Sequence, residues 1–362
     1  MPPFKPGQRV LHPLFGLGTV LEDEAEGRVK VRFDRKGERL LDVKFARLRP
    51  ATPEGLDALE PGGEGHRRWL ELFRFEPGDT PHFMGSRWEP FFDDVGEVFE
   101  RLPQLVPEMR VHGAFADHRP APRKEPPEWP AGFHLSWPGP LQGVMAVLRM
   151  EPKFNNIVSL YPFWSTGSQH TLTIEQVRVW ESGVEAQIDA VLEGAAITFF
   201  DTLYAVNRTW YEAGGRYEFV LTGIAYACRR AEDHPFEIRL EREERAFLRD
   251  RARKDGWESE PEEIEIMHTT GMAMLLPIDQ WDADDYQFHG PVKSVKEIEM
   301  LGQTGWRLRT TVLRRLGKDG DIDLDIIVTR RAWGDGAPPL QGEDVEGRLW
   351  LQGYLWYPHN CQ

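Results

Sequence analysis

The chain has 362 residues, two cysteines and a formal net charge of −15 at pH 7. This length predicts two or three domains whose cores need no disulfide bonds. No apolar run approaches the roughly 20 residues that cross a bilayer, and the first residues lack the pattern of a signal peptide. The composition therefore excludes membrane, collagen-like and small disulfide-rich secreted proteins. We expect a cytoplasmic protein without membrane contact, in which Cys228 and Cys361 are free thiols.

The charge is distributed unevenly along the chain. Residues 1–50 hold 11 Lys and Arg against 7 Asp and Glu, a net +4, whereas the other residues hold 33 against 52, a net −19. A basic segment on an acidic body suggests that this segment has an acidic partner of its own. The balance argues against the whole chain wrapping nucleic acid, because a phosphate-binding surface must be locally basic.

Five short strands are predicted within residues 7–50, as in a small β-barrel. Residues 28–34 alternate strictly between apolar side chains, which face the core, and basic side chains, which face solvent. The other predicted strands are Arg9–Leu11, Gly18–Leu21, Glu38–Asp42 and Phe45–Leu48.

Residues 6–20 contain a Gly, a Val, a His before a variable pair, and then Phe15-Gly16-Leu17-Gly18-Thr19-Val20. Together with the strands that follow, they resemble the Tudor-like domain that ends UvrD/PcrA-type helicases and the related RNA-polymerase-interacting domain of CarD. The resemblance covers about 45 residues. It implies an SH3-like domain over residues 1–52 that docks a protein, often RNA polymerase, sometimes with a DNA contact. No helicase motor accompanies it, since the chain lacks G-x-x-x-x-G-K-[ST].

The outward face of this domain is the first candidate binding site. It would dock on an acidic protein surface through Phe15, Arg28, Lys30, Arg32 and Arg39. Two alternatives stay open: the basic residues form an ordinary solvated strand face, and Phe15 belongs to the core of the small barrel.

Residues 53–130 are predicted to form a helical and Pro-rich connector. Residues 66–75 have helical spacing through Trp69, Leu72 and Phe73. A second helix is predicted over Asp93–Leu102, with Asp93 or Asp94 as its cap, Val95, Val98, Phe99 and Leu102 as its apolar stripe, and Pro103 as its stop. Residues 117–130 hold five prolines and are predicted to be an extended linker.

Residues 131–362 are predicted to be β-rich. A charged segment at Glu237–Lys254 is predicted to be at least partly helical, and Gly183–Cys228 and Gly305–Thr329 are candidates for two related β units. The strand order over 286–356, with its closing hairpin, favours an OB-like fold. The predicted strands are Gly143–Met150, Gly183–Glu193, Ala195–Phe200, Arg216–Cys228, Glu263–Met267, Met272–Ile278, Gly305–Leu313, Asp321–Thr329 and Glu346–Leu355.

A second candidate site is an arginine-rich face around Trp306 that would bind single-stranded nucleic acid. Its residues are Trp306, Arg307, Arg309, Arg314, Arg315 and Arg330. Aromatic rings stack on bases, and arginines follow the phosphate backbone. The alternative is an exposed arginine face that balances nearby acids, with Trp306 buried.

A third candidate is a metal or catalytic site at Asp321, Asp323 and Asp325. These residues are two positions apart, so a strand directs all three side chains to the same face. Clustered carboxylates suit hard cations, and Asp282, Asp284 and Asp285 are candidates to join them. The alternative is a half-exposed strand, because apolar residues occupy the positions between the aspartates.

Other polar and aromatic groups give weaker signals. The segment Ser165–His170 is predicted to be a polar loop, and His268 a hydrogen-bonded structural residue. Trp350, Tyr354 and Trp356 are separated by even numbers of residues, so a strand would direct them to one face. That face is either part of a core or a binding surface.

The sequence as a whole predicts a mainly β protein with minor α content and no cofactor. The favoured function is a non-enzymatic adaptor whose N-terminal barrel docks RNA polymerase or a transcription or repair complex, and whose C-terminal region binds a second protein. The alternatives are single-stranded nucleic-acid binding and a metal-dependent hydrolase or nuclease. The sequence does not determine the oligomeric state.

Overall fold

The computed structural model describes residues 4–12, 16–24, 28–34, 37–42, 48–51, 71–78, 80, 82, 86–115, 131–150, 155–239, 246, 249, 264–314 and 320–357. These residues are mainly in β-strands, with short helices, as the sequence predicted. No helix in these ranges is long and apolar enough to cross a membrane. Cys228 is a buried free thiol.

The N-terminal residues form a five-stranded antiparallel sheet with the order β4-β3-β2-β1-β5. Its strands are β1 (Arg9–His12), β2 (Gly16–Glu24), β3 (Arg28–Phe33), β4 (Gly37–Asp42) and β5 (Arg49–Pro50). These strands have an apolar core of their own, distinct from the main core described below. It consists of Phe4, Val10, Val20, Val29, Val31, Phe33 and Leu48. Gly18 is required by packing, since a Cβ there would lie 2.7 Å from Val31 Cγ1. The strand predicted at Phe45–Leu48 lies largely outside the described residues.

Two predictions for the connector are wrong. Phe73–Phe75 is a strand, β6, rather than part of a helix, because it pairs in parallel with Val177–Val179. The helix α1 spans Gly96–Leu105 and contains Pro103, which was expected to end it. Pro103 has no N–H to donate within the helix, yet the helix continues through it to Leu105.

The start of α1 and its buried face follow the predicted pattern only in part. The N-cap residue is Val95, without a side-chain capping hydrogen bond, rather than the predicted Asp93 or Asp94; Asp94 lies one residue earlier, and its Oδ1 accepts a hydrogen bond from Gly96 N at 2.9 Å. Val98 is buried, but Phe99 is 57% exposed instead of belonging to the stripe.

A four-stranded antiparallel sheet carries α1 on one face. Its strands are β7 (Arg110–Phe115), β8 (Gly132–Pro138), β9 (Gln142–Met150) and β10 (Asn155–Trp164). Val98 of α1 packs with Val144, Ala146 and Leu160, whereas Met145 and Val147 face the main core. Pro162 within β10 explains why the sequence pattern missed that strand. The Pro-rich segment 117–130 lies outside the described residues.

A ten-stranded sheet contributes most residues of the main apolar core. After β6 it comprises β11 (Ser168–Val179), β12 (Ala186–Leu192), β13 (Ala195–Asp201), β14 (Arg216–Arg230), β17 (Met274–Pro277), β18 (Asp285–Met300), β19 (Gln303–Leu313), β20 (Ile322–Thr329) and β21 (Asp344–Tyr357). Helix α2 (Tyr204–Asn207) follows β13, and helix α3 (Arg330–Trp333) follows β20.

A two-stranded sheet of β15 (Phe236–Arg239) and β16 (Ile264–Met267) interrupts this series. The charged segment therefore begins as a strand at Glu237–Arg239, whereas Ala246 and Arg249 are helical, in agreement with a partly helical segment. The other residues of 240–254 lie outside the described part of the chain. The polar loop predicted at Ser165–His170 is wrong from Ser168 onward, where β11 begins.

The strand pairings close into two rings that share β14 and β21. One ring runs β11-β12-β13-β21-β14 and back to β11; the other runs β18-β19-β20-β14-β21 and back to β18. In each ring a short helix follows the third strand. The range 286–356, predicted to form a unit by itself, closes only with β14.

Candidate functional site: a buried arginine among carboxylates

Arg87 lies at the centre of the most strongly charged part of the core. It belongs to a 3-10 turn, Ser86–Trp88, in the described residues between Glu71 and Phe92, which we call the strap. The residue is 1% exposed. Its guanidinium lies 4.4, 4.9 and 5.1 Å from the ring centres of Trp350, Phe200 and Trp180. Aromatic faces stabilise such a cation where water is excluded.

Two aspartates neutralise this buried guanidinium. Arg87 Nη2 lies 3.1 Å from Asp284 Oδ2 and 3.5 Å from Asp282 Oδ2. Asp284 also accepts hydrogen bonds from Gln187 Nε2 at 2.8 Å and from Trp350 Nε1 at 2.9 Å. Burial raises the pKa of Asp284, and the charge of Arg87 acts against that rise. Such a pair is stable when its remaining donors and acceptors are satisfied.

His82 extends the network along the strap. Its ring stacks on Trp180 with centroids 3.7 Å apart. Nδ1 lies 3.1 Å from Asp282 Oδ1, and Nε2 lies 3.0 Å from Glu76 Oε2. Both nitrogens therefore face carboxylate oxygens, an arrangement that favours the doubly protonated imidazolium. Burial lowers the pKa of His82, but the hydrogen bonds to Asp282 and Glu76 outweigh it and raise the pKa to about 9.

Asp285 completes the acidic cluster. Its Oδ1 accepts a hydrogen bond from the Tyr226 hydroxyl at 2.6 Å. Burial, with the neighbouring charge of Asp284, raises its pKa to about 7. Oxygens of Asp282, Asp284 and Asp285 lie within 4.8 Å of one another, close enough to ligate one metal ion. Because Arg87 already supplies a cation to two of these carboxylates, we assign the cluster to an arginine-centred ion network that fixes the strap.

The other acidic candidates are paired across strands. Asp321, Asp323 and Asp325 accept from Arg314, Arg309 and Arg307 at 2.6, 3.3 and 2.7 Å. The structure therefore brings the predicted metal ligands together with the predicted nucleic-acid ligands, so that each neutralises the other.

The aromatic residue of that face is buried. Trp306 packs edge-on against Trp333, with centroids 6.0 Å apart, and the guanidinium of Arg330 lies 4.7 Å from its ring centre. Arg315 lies outside the described residues. Base stacking on Trp306 would require this packing to open, so the contacts favour the alternative of a charge-balanced face. Nucleic-acid binding here stays a prediction.

The basic face of the N-terminal sheet is partly paired. Arg32 and Lys30 contact Glu38 side-chain oxygens at 2.7 and 3.4 Å, and Arg39 Nη1 donates to Glu38 O at 2.8 Å; Arg28 and Arg39 are exposed. Leu40 lies opposite Lys30 in the register and is 47% exposed. Sequence reasoning missed Leu40; the signal was the pair Leu40-Leu41, since a strand directs neighbouring side chains to opposite faces. Phe15 lies outside the described residues.

The weaker candidates lie in structural contacts. His268 pairs with Asp233 at 2.6 Å, consistent with the hydrogen-bonded role predicted for it. Trp350 is buried against Arg87, whereas Tyr354 and Trp356 form an edge-on aromatic pair near the end of β21. His82 and Arg87 escaped sequence analysis because their aspartate partners are about 200 residues away in the chain.

No protein-family model matches the chain, and no curated protein is detectably similar to it. The function must therefore be argued from the geometry.

Proposed function

We propose that the chain is a non-enzymatic cytoplasmic adaptor. Its N-terminal sheet is an SH3-like docking domain of the Tudor type, and its partner is RNA polymerase or a transcription or repair complex. The C-terminal β region binds a second protein. Residues 1–50 carry a net charge of +4 and the other residues −19, and this difference supports assigning the two parts different partners.

The docking surface that we assign to the N-terminal domain lies on β3 and β4. Leu40, an exposed apolar side chain on an exposed strand, is the observation that carries the proposal. It stands opposite Lys30, between the cross-strand pairs Arg28–Asp42 and Arg32–Glu38. An apolar anchor with a charged rim is the usual composition of a protein-binding surface.

The C-terminal region is proposed to consist of two OB-like units. Support comes from the two five-stranded rings, each with a helix after its third strand. An OB-like barrel commonly presents a strand face and loops to its ligand. Here the arginines of β19 are paired with β20, so we place the binding function at another surface, described below.

Affinity measurement with the full-length chain tests the docking. Purified bacterial RNA polymerase is passed over immobilised wild-type protein and over the variants Leu40→Glu and Arg28→Glu, with nuclease present throughout. Captured lysate proteins are identified in parallel by mass spectrometry. Leu340→Glu, which changes an exposed leucine of the body, is the matched control.

We expect Leu40→Glu and Arg28→Glu to weaken capture at least tenfold, because a carboxylate replaces the apolar anchor or reverses the charge of its rim. Leu340→Glu should bind like the wild type. Equal capture by all four proteins, or no capture by the wild type in the presence of nuclease, would remove the docking proposal.

A further inference from the structure

The loop between β17 and β18 presents an aromatic side chain on a fixed base. Ile278 N donates to Asp285 O at 3.0 Å, and Asp285 N donates to Asp282 O at 2.9 Å. Trp281 N donates to Ile278 O within the same loop. Asp282 is in turn held by His82 and Arg87 of the strap. The backbone that carries Trp281 is therefore held by hydrogen bonds, and 37% of the residue is exposed.

Trp281 lies between a phenol ring and a guanidinium. The Tyr226 ring meets it edge-on at 5.9 Å, and the Arg348 guanidinium lies 5.2 Å from its ring centre. Among the described residues, no carboxylate lies within ion-pair distance of the exposed Arg348. Its neighbours differ: Arg229 pairs with Glu346 at 2.6 Å and Arg230 with Glu343 at 2.8 Å. Arg348 therefore keeps its hydrogen-bond donors available to a ligand.

An apolar side chain, Leu276, is aligned with Arg348 across neighbouring strands of the sheet. Leu276 of β17 is opposite Gln287 of β18, which is opposite Arg348 of β21. Directly opposed residues point to the same side of a sheet, and two strand spacings separate Leu276 from Arg348 by roughly 10 Å. Leu276 is 52% exposed and Gln287 is exposed. We call Leu276, Trp281, Gln287 and Arg348 the Trp281 face.

We propose that the Trp281 face binds a peptide segment of a partner protein in which a carboxylate stands next to a large apolar side chain. The carboxylate receives paired hydrogen bonds from the Arg348 guanidinium. The apolar side chain packs on Leu276 and the open part of the Trp281 ring. This inference rests on the proposed function, since it assigns the surface and the chemistry of the second protein partner.

Charge decides between a peptide and a nucleic acid. One unpaired guanidinium matches one carboxylate. A phosphodiester chain needs several cations to displace its counterions. The same strand carries Asp344 and Glu346 beside Arg348, and Asp279 is exposed near Trp281. Because repulsion grows with each added phosphate, these carboxylates disfavour a run of phosphates more than a single acidic side chain.

A peptide library displayed on phage identifies the ligand. Selection uses the full-length protein, with counter-selection against the full-length Arg348→Ala variant. We expect enriched sequences to pair Asp or Glu with Leu, Phe or another large apolar residue. The best peptide is then synthesised with a fluorescent label, and its affinity is measured by fluorescence polarisation.

We expect Arg348→Ala and Trp281→Ala to weaken that peptide at least tenfold, and Leu276→Ala to weaken it severalfold. The matched controls Arg216→Ala and Leu340→Ala, at exposed positions away from this face, should leave the affinity unchanged. Circular dichroism and thermal melting verify that every variant is folded.

Three results would overturn the proposal: no enrichment over the counter-selection, enriched peptides without an acidic residue, or binding of a labelled oligo(dT) 20-mer that depends on Arg348. Leu40→Glu separates this failure from failure of the docking proposal. If the peptide binds but all variants capture polymerase equally, only the docking proposal is contradicted. If capture depends on Leu40 but no peptide binds, only the proposal for the Trp281 face is contradicted.

Discussion

Arg87 is the residue on which the packing of the strap against the body depends. It is enclosed by three aromatic rings and bonded to Asp284, which is itself fully buried. Truncation to alanine would leave uncompensated carboxylates in a low-dielectric core. The cost of breaking a buried pair in this way is about 3–5 kcal/mol.

We therefore predict that Arg87→Ala lowers the free energy of unfolding by about 3–5 kcal/mol, measured by urea denaturation at pH 7. Arg348→Ala, at an exposed arginine also stacked on a tryptophan, should change it by less than about 1 kcal/mol. An Arg87→Ala loss as small as that of the control would mean that the network does not stabilise the fold.

Single residues also show where sequence reasoning ends. The alternation of residues 28–34 predicted the buried Val29, Val31 and Phe33, because burial there depends only on local parity. Clustering of carboxylates in the sequence identified Asp282, Asp284 and Asp285 only as candidates for a metal site. Their actual partner, Arg87, lies about 200 residues away in a segment without periodicity, so no local pattern pointed to it.

At the scale of elements, the strap is held by charge as well as by packing. Gln303 Nε2 donates to Phe91 O at 3.1 Å, and Thr329 Oγ1 donates to Pro90 O at 2.8 Å. His82 adds two ion pairs that exist only while its ring is protonated. Because its pKa is raised to about 9 from an ordinary value near 6.5, the folded state binds this proton more tightly.

The contribution of His82 is therefore fully present below about pH 6.5 and is lost as the pH rises through 9. We predict that wild-type protein loses up to about 3 kcal/mol of stability between pH 6.5 and pH 9.5 that His82→Gln does not lose. Urea denaturation at both pH values measures the difference. Parallel pH dependence in the two proteins would contradict the assigned ion pairs.

The predicted strands of the β-rich region match observed strands closely in their bounds, whereas other strands, such as β8, β10 and β11, were not predicted at all. Most strands of the β-rich region were expected near their observed places, since parity and flanking turns define them. The strand β6 was missed because its three residues are stabilised by pairing with Val177–Val179 rather than by their own pattern. The continuation of α1 beyond Pro103 was missed for a related reason, since the helix is held by packing on the four-stranded sheet.

At the scale of the whole molecule, β14 and β21 join the two rings into one hydrogen-bonded system. The two strands pair along nearly their whole length, from Glu218–Tyr357 to Arg230–Val345. Neither ring closes without a strand that the other ring also uses. We therefore expect the rings to unfold together.

A core truncation in one ring should consequently weaken the other. Phe199→Ala, in β13, removes a fully buried aromatic and should cost about 3–5 kcal/mol. We predict that it lowers the hydrogen-exchange protection of amides in β19 as well as in β12, at conditions where exchange reports global opening. Unchanged protection in β19 would mean that the rings are independent folding units.

The proposed adaptor joins two proteins through two separate surfaces, one on β3 and β4 and the other at the Trp281 face. The most direct measurement immobilises the peptide selected on the Trp281 face, binds the full-length protein to it, and then adds purified bacterial RNA polymerase. We expect a second mass increment, which Leu40→Glu should abolish while the first increment remains. Arg348→Ala should prevent both increments. Displacement of the protein by polymerase, or a second increment that Leu40→Glu leaves intact, would contradict it.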